Sequence, residues 1–366
     1  MTLSRVLKTV CQCGSTLGLA STLAYAAGSF TGSLNTINTV ASTIPANGDV
    51  NPYGVAIVPR TTGNLTKGNI LVSNFNNSSN LQGTGTTIVQ ISPGGALSVF
   101  AQIPQNLAGC PGGVGLTTAL AALRSGWVIV GSLPTSDGTS ATMKAGCLIV
   151  FNSSGQVAEI FAAKRDGVAI NGPWDMTALD TGELVELFVT NVLDGTVAAN
   201  GTVVNRGTVV RILLLLDECA KPLELLRTEI GSGFPQRTDP AALVIGATGV
   251  GLGNNGTLYV ADSLSNRIAA IPNAVFRLDS AGIGKTISEN GALNGPLGLA
   301  IAPNGDIVTA DSGDGNLVET TPEGTQVVVK DIDVSDQGAG TLFGLAVVPG
   351  GVYYVDDGNN TLNLLN

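Results

Sequence analysis

Carboxylates and side-chain amides are the chemistry-bearing groups of this sequence, and histidine is missing from all 366 residues. Without an imidazole, Ser-His and Cys-His nucleophile pairs and histidine-ligated metal sites are excluded. Acid and amide oxygens gather instead in polar segments ahead of apolar runs: Asp49 and Asn51, Asp166 and Asn171, Asp239, Glu289 with Asn290 and Asn294, and Asp331-Ile-Asp-Val-Ser-Asp336. Oxygen donors of this kind suit a hard cation, calcium before any transition metal. The metal candidates are Asn171, Asp331, Asp333 and Asp336. The ligand-binding candidates are Asn51, Asn171, Asp175 and Asn294. Asp331, Asp333 and Asp336 alternate as the start of a calcium loop does, but the glycine and terminal glutamate of an EF-hand are missing. A solvated acidic turn is the competing reading. Seventeen basic against 27 acidic side chains give a net charge of −10, which repels phosphate backbones and excludes nucleic acid as a partner.

The elements that must position these residues come from an internal repeat. Gly298-Leu-Ala-Ile-Ala-Pro-Asn-Gly-Asp-Ile-Val-Thr-Ala-Asp311 returns from Gly344 to Asp357 and from Gly249 to Asp262, with thirteen positions between glycine and aspartate each time. Looser copies start at Gly54, Gly113 and Asp175. Each unit reads as four short strands joined by turn residues. In the fifth unit these are 297–302, 306–310, 316–320 and 326–329, the pattern of a β-propeller blade. Six units predict an all-β, six-bladed propeller. The last unit has only one strand after Asp357, so the segment 33–43 is expected to supply its outer strand and latch the ring, removing exposed sheet edges. Gly251-Leu-Gly-Asn-Asn-Gly256 matches a dinucleotide fingerprint by letter, but a strand follows it, so it reads as a hairpin turn.

Residues 1–27 have a secretory signal layout: Arg5 and Lys8, an apolar stretch to Ala24, then small residues to Ala27. The expectation is a secreted or periplasmic protein with no stable membrane span after cleavage, residues 28–366 forming one propeller domain. Of the three cysteines left, Cys110 and Cys147 fall at one face of the second unit, where a disulfide is expected, and Cys219 stays single.

Leu258-Tyr-Val-Ala-Asp-Ser-Leu-Ser-Asn-Arg-Ile268 resembles the NHL repeat. Asp262 is expected to staple a turn with Asn266 and Arg267, and Asp311 and Asp357 to do the same in their units. Asn171-Gly-Pro-Trp-Asp175 is similar to the asparagine-glycine stretch of gluconolactonase-like propellers. That similarity implies a divalent ion on Asn171 and a bound water as nucleophile on a lactone. It is broken at Pro296-Leu297-Gly298, where the family's metal-binding aspartate is replaced by leucine. Streptogramin lyases, amidating lyases and paraoxonases, on related propellers, depend on histidine.

In a propeller the loops leading into the innermost strands and those between the second and third strands share one face. The latter are long in the first three units, at 75–85, 133–146 and 193–207, and rich in Asn, Ser, Thr and Gly, which reads as adaptable polar contact. An exported binding module for a protein, peptide or glycan is therefore favoured over a metal-dependent lactonase, with calcium the one cofactor considered.

Overall fold

A computed structural model describes residues 28–162, 164–217 and 220–366, so the expected leader and Cys219 lie outside the described residues. The chain forms six antiparallel sheets, each wound outward from an innermost strand, in a closed ring. Blades 1 to 5 occupy residues 50–102, 120–161, 173–245, 247–289 and 296–331. Blade 6 takes Leu342–Val348, Gly351–Asp356 and Thr361–Leu365 from the end of the chain and Ile37–Ser42 from its start, in the order that puts Ile37–Ser42 outermost. Thus the ring is latched by pairing Ile37 with Leu365 and Ser42 with Thr361. Among the described residues the α-helix content is a single turn, Thr196–Ala199.

The repeated glycine has a packing cause. Innermost strands converge on the axis, and a Cβ on Gly344 would sit 1.9 Å from the Tyr53 carbonyl oxygen, on Gly298 2.1 Å from that of Phe343, and on Gly249 2.4 Å from that of Leu297. Only glycine lets each blade approach the next so closely. In blade 2 the equivalent position is Ala119, not Gly113, which lies in the loop ahead of Leu120–Ala122. There the space comes from the second strand: a Cβ on Gly131 would meet the Ala119 methyl and the Pro173 carbonyl at 2.9 Å. In blade 3 the position is held by Asp175.

The end of each second strand carries a buried cap. Register pairs Pro52 with Asn74, Pro173 with Asn191, Ala247 with Asp262, Pro296 with Asp311 and Leu342 with Asp356. The sixth staple is therefore Asp356 and not Asp357. The blade 6 hairpin is one residue shorter: six positions separate Ile301 from Ile307, and five separate the equivalent Val347 and Val352. Asp262 accepts from the Ser265 N–H and from Arg267 Nε at 2.9 Å, while Asp356 accepts from the N–H groups of Asn359 and Val334. Asn266 bridges onward, donating to the Leu293 carbonyl and accepting from the Gly295 N–H. The segment 251–258 is a hairpin turn closed by Gly253 and Thr257.

Candidate functional site

One residue before the glycine position, the innermost strands present Tyr53, Thr118, Trp174, Thr248, Leu297 and Phe343 around the axis. Tyr53 and Phe343 stack with centroids 5.5 Å apart, and Trp174 stands edge-on to Tyr53, its indole N–H donating to the phenol oxygen at 2.8 Å. With Leu116 they form an apolar plug that divides the central channel. Burial, reinforced by the charge of Asp175, pushes the Tyr53 phenol well above its usual range, so it stays neutral.

Above the plug lies a cavity of about 650 Å³. Its floor is Tyr53, Trp174, Leu297 and Phe343, with Phe75 and Leu116 rising beside them. Its rim is amide and hydroxyl: Asn51, Asn76, Asn80, Gln82, Asn266, Asn294, Ser263 and Ser312. Two charged side chains reach it. Arg237 is paired with Asp239 at 2.7 Å, and Asp357 accepts from Asn51 Nδ2 at 3.0 Å. Burial, with Asp356 adding repulsion and Asn51 opposing it, pushes Asp357 up to about 7.

Part of the roof was missed in the sequence. The outer strand of blade 3, Leu223–Asp239, overruns its sheet and turns back as Leu243–Ile245, carrying Arg237, Ala241, Ala242 and Val244 to the cavity. Gln82 donates to the Ala241 carbonyl, and the fully buried Leu243 packs on Gly83. The long loops of blades 1 to 3 are only partly the polar contacts expected: Asn76, Asn80 and Gln82 reach the cavity, but other loop residues are packed away. Phe75, Leu133, Met143 and Leu193 from those loops share one buried cluster with Leu243, Val244 and the floor.

The sequence candidates separate. Asn51 and Asn294 line the cavity, the latter through a loop whose N–H donates to Asp311 at 2.8 Å. Asp175 faces the other half of the channel, a hollow of about 360 Å³ beneath the plug, and its carboxylate accepts from the Met176 and Val250 N–H groups. Burial pushes it to about 7. Asn171 is not part of the cavity wall; its N–H is held by Asn191, and its Oδ1 is buried without a hydrogen-bond partner. Asp331, Asp333 and Asp336 form no ligand cluster. Asp331 accepts from the Asp333 N–H, and the Asp333 carboxylate is spent on Ser335 and Gly338, while Asp336 turns the backbone at φ 56°. This is an acidic turn satisfied by its own backbone. Cys110 and Cys147 are bonded, with Cα atoms 5.4 Å apart, and pin the loop ahead of blade 2 to its third strand.

The divalent ion implied by the gluconolactonase-like stretch finds no fitting donors. The axial positions are Tyr53, Thr118, Trp174, Thr248, Leu297 and Phe343, none of them a carboxylate, and among the described residues no three His, Cys, Asp or Glu side chains converge. One neutral amide oxygen at Asn171 cannot offset the dehydration of such a cation.

No family model matches the chain, and no curated protein does. Among solved structures, a gluconolactonase from Xanthomonas campestris superposes with a TM-score of 0.55 at 12% identity, covering 90% of this chain and 88% of that one. A calcium-binding regucalcin from Agrobacterium tumefaciens gives 0.51 at 12% identity over 90% and 94% of the two chains. The PQQ-bound form of an aldose sugar dehydrogenase from Streptomyces coelicolor gives 0.51 at 12% identity over 90% and 98%. Likeness at this identity is likeness of fold: a six-bladed propeller with gluconolactonase-type neighbours.

Proposed function

We propose that this propeller binds an uncharged, ring-shaped, hydroxylated small molecule, a sugar or sugar lactone, in the cavity above the aromatic plug. The carrying observation is the cavity itself, an apolar floor of Tyr53, Trp174, Leu297 and Phe343 under a rim of amides and hydroxyls. A pyranose-sized ring has the same division, with C–H faces for the floor and hydroxyl edges for the rim. The names of two structural neighbours, a gluconolactonase and an aldose sugar dehydrogenase, point toward the same ligand class. The lactonase alternative is thus preferred in its substrate class but without its metal. The terminal ring of a glycan fits the same description, whereas a folded protein or peptide partner has no counterpart in an enclosure this small. The contacts of Asp262, Asn266 and Arg267 support an NHL-type repeat, and the Cys110–Cys147 bridge supports export.

The test is thermal unfolding of the intact chain with D-glucono-1,5-lactone or D-glucose, in calcium or in EDTA. A ligand that binds only the native state raises Tm by mass action. The expected outcome is a rise with at least one of them that EDTA leaves unchanged. No shift at millimolar ligand overturns the reading, and a shift only with calcium overturns its metal independence. Phe343→Ala, which removes the exposed part of the floor, should abolish the shift.

A further inference from the structure

In blades 4, 5 and 6 the position just after the strand-end staple faces the mouth, and its occupants are Ser263, Ser312 and Asp357. Both serines are satisfied: Ser263 Oγ donates to the Pro296 carbonyl, and Ser312 Oγ to the Gly295 carbonyl at 3.0 Å. Once ionised, Asp357 cannot repeat that bond, because it then has no proton to give the following blade. Asp357 instead takes Asn51 Nδ2 on one oxygen and leaves Oδ1 buried with no partner. Asn51 is held for this contact in the left-handed conformation, φ 62°, by Asn360 Oδ1 accepting from its N–H at 2.6 Å. A second orphan lies on the same cavity wall: Thr118, 1% exposed, has a hydroxyl with no partner. A buried unpaired acceptor and a buried unpaired hydroxyl each cost stability in the free protein, and both sit where a ligand would meet them.

We infer that Asp357 and Thr118 are the cavity's polar anchors and set its specificity: Asp357 Oδ1 accepts a hydrogen bond from a ligand hydroxyl, and the Thr118 hydroxyl bonds a second ligand oxygen. The inference rests on the sugar or lactone reading and narrows it to molecules with free ring hydroxyls. Above about pH 7, where Asp357 is ionised, a hydroxyl donating to its carboxylate is stronger than a neutral pair, so this contact dominates discrimination. A methyl ether in its place leaves the carboxylate oxygen unpaired again and rejects the analogue, as sites built around a hydroxyl do.

Two measurements test this. In titrations followed by calorimetry, D-glucose should bind the intact chain at least about tenfold more tightly than its per-O-methyl ether. Asp357→Ser, a residue the ring accepts at this position in blades 4 and 5, should weaken glucose binding by about tenfold or more, and Thr118→Val by several-fold. Unchanged affinity in both variants, with Phe343→Ala still abolishing binding, overturns the anchors while the cavity reading stands. Tighter binding of the methyl ether, or binding of an alkylammonium ion in place of glucose, also overturns them. Failure of glucose and of the lactone to bind at all defeats the parent reading, and the second measurement then decides the anchors without any ligand. Removing an orphan hydroxyl from a buried site should raise the Tm of ligand-free Thr118→Val by about 1–3 °C. A lowered Tm shows that the hydroxyl has a structural partner and overturns the inference.

Discussion

Blades 4 to 6 and blades 1 to 3 end their second strands in opposite ways. In the first group the staple is an aspartate, Asp262, Asp311 or Asp356, and the next residue, Ser263, Ser312 or Asp357, is polar and faces the mouth. In the second it is Asn74, Ser132 or Asn191, and the next residue, Phe75, Leu133 or Val192, is buried. An aspartate cap followed by a polar residue closes a short turn at once. A large apolar residue in the same place pulls its whole loop down onto the plug, because leaving it in water would forfeit roughly 2 kcal/mol of burial. The cavity exists because the two halves differ: one half is folded over the axis and the other is left open and polar.

The contrast breaks most sharply at the blade 4 staple. Arg267 and Asp262 are 5% and 0% exposed, and the arginine also lies 5.8 Å over the Phe234 ring. Arg267→Met leaves a buried carboxylate unpaired and should cost about 3–5 kcal/mol in denaturant unfolding. A loss under about 1 kcal/mol would mean that the staple is ornamental. On the covered half, Leu243→Ala empties a fully buried site between the blade 3 hairpin and the plug. It should cost about 2–4 kcal/mol and weaken ligand binding, with the Arg267 variant leaving affinity unchanged. Equal effects of both variants on affinity would erase the distinction between the halves.

The smallest effect is on pH dependence and belongs mainly to blades 5 and 6. Burial raises Asp311 and Asp357 to about 7, and Asp306 and Asp356 to about 6, with Glu319 adding to the rise at Asp306 and Asp333 to that at Asp356. Asp175 in blade 3 joins them at about 7. A carboxyl raised on folding keeps a proton that the unfolded chain has lost. Its contribution is complete below the unfolded value near 4 and fades as pH climbs to about 7. Glu319 and Asp333, held low by backbone and hydroxyl donors, act in the opposite sense and give way only below their ordinary range. Tm should therefore be higher at pH 5 than at pH 8, and Asp311→Asn should flatten part of the slope. A Tm that climbs steadily from pH 5 to pH 8 contradicts this assignment.

The same contrast explains what could be read in the sequence. Blades 4 to 6 repeat a glycine and an acid at fixed spacing because close approach at the axis and a capped short turn both demand particular residues. Blade 2 hides its start because the space is supplied by Gly131 rather than by a glycine on the inner strand. The motif points to Asp357 rather than Asp356 as the staple because a hairpin one residue shorter moves the register without altering the motif's appearance. Asn51 and Asn294 were legible as polar residues leading into inner strands. The plug was not, although Tyr53-Gly54, Leu297-Gly298 and Phe343-Gly344 share a visible sign, a bulky apolar residue immediately before the axial glycine. The overrunning hairpin of blade 3 left no comparable sign, since its path depends on where Leu243 is buried.

The latch joining Ile37–Ser42 to Thr361–Leu365 also sets an order of events during synthesis. Blade 6 alone joins segments so far apart in sequence, so its sheet cannot be completed until Thr361–Leu365 has been made. In the finished ring the segment just ahead of that early strand is tied to blade 5, where the Glu319 carboxylate accepts from the N–H groups of Phe30 and Thr31. The slowest contacts are those spanning the whole chain, and a truncation of only the last five residues would strand two bare sheet margins for other molecules to join.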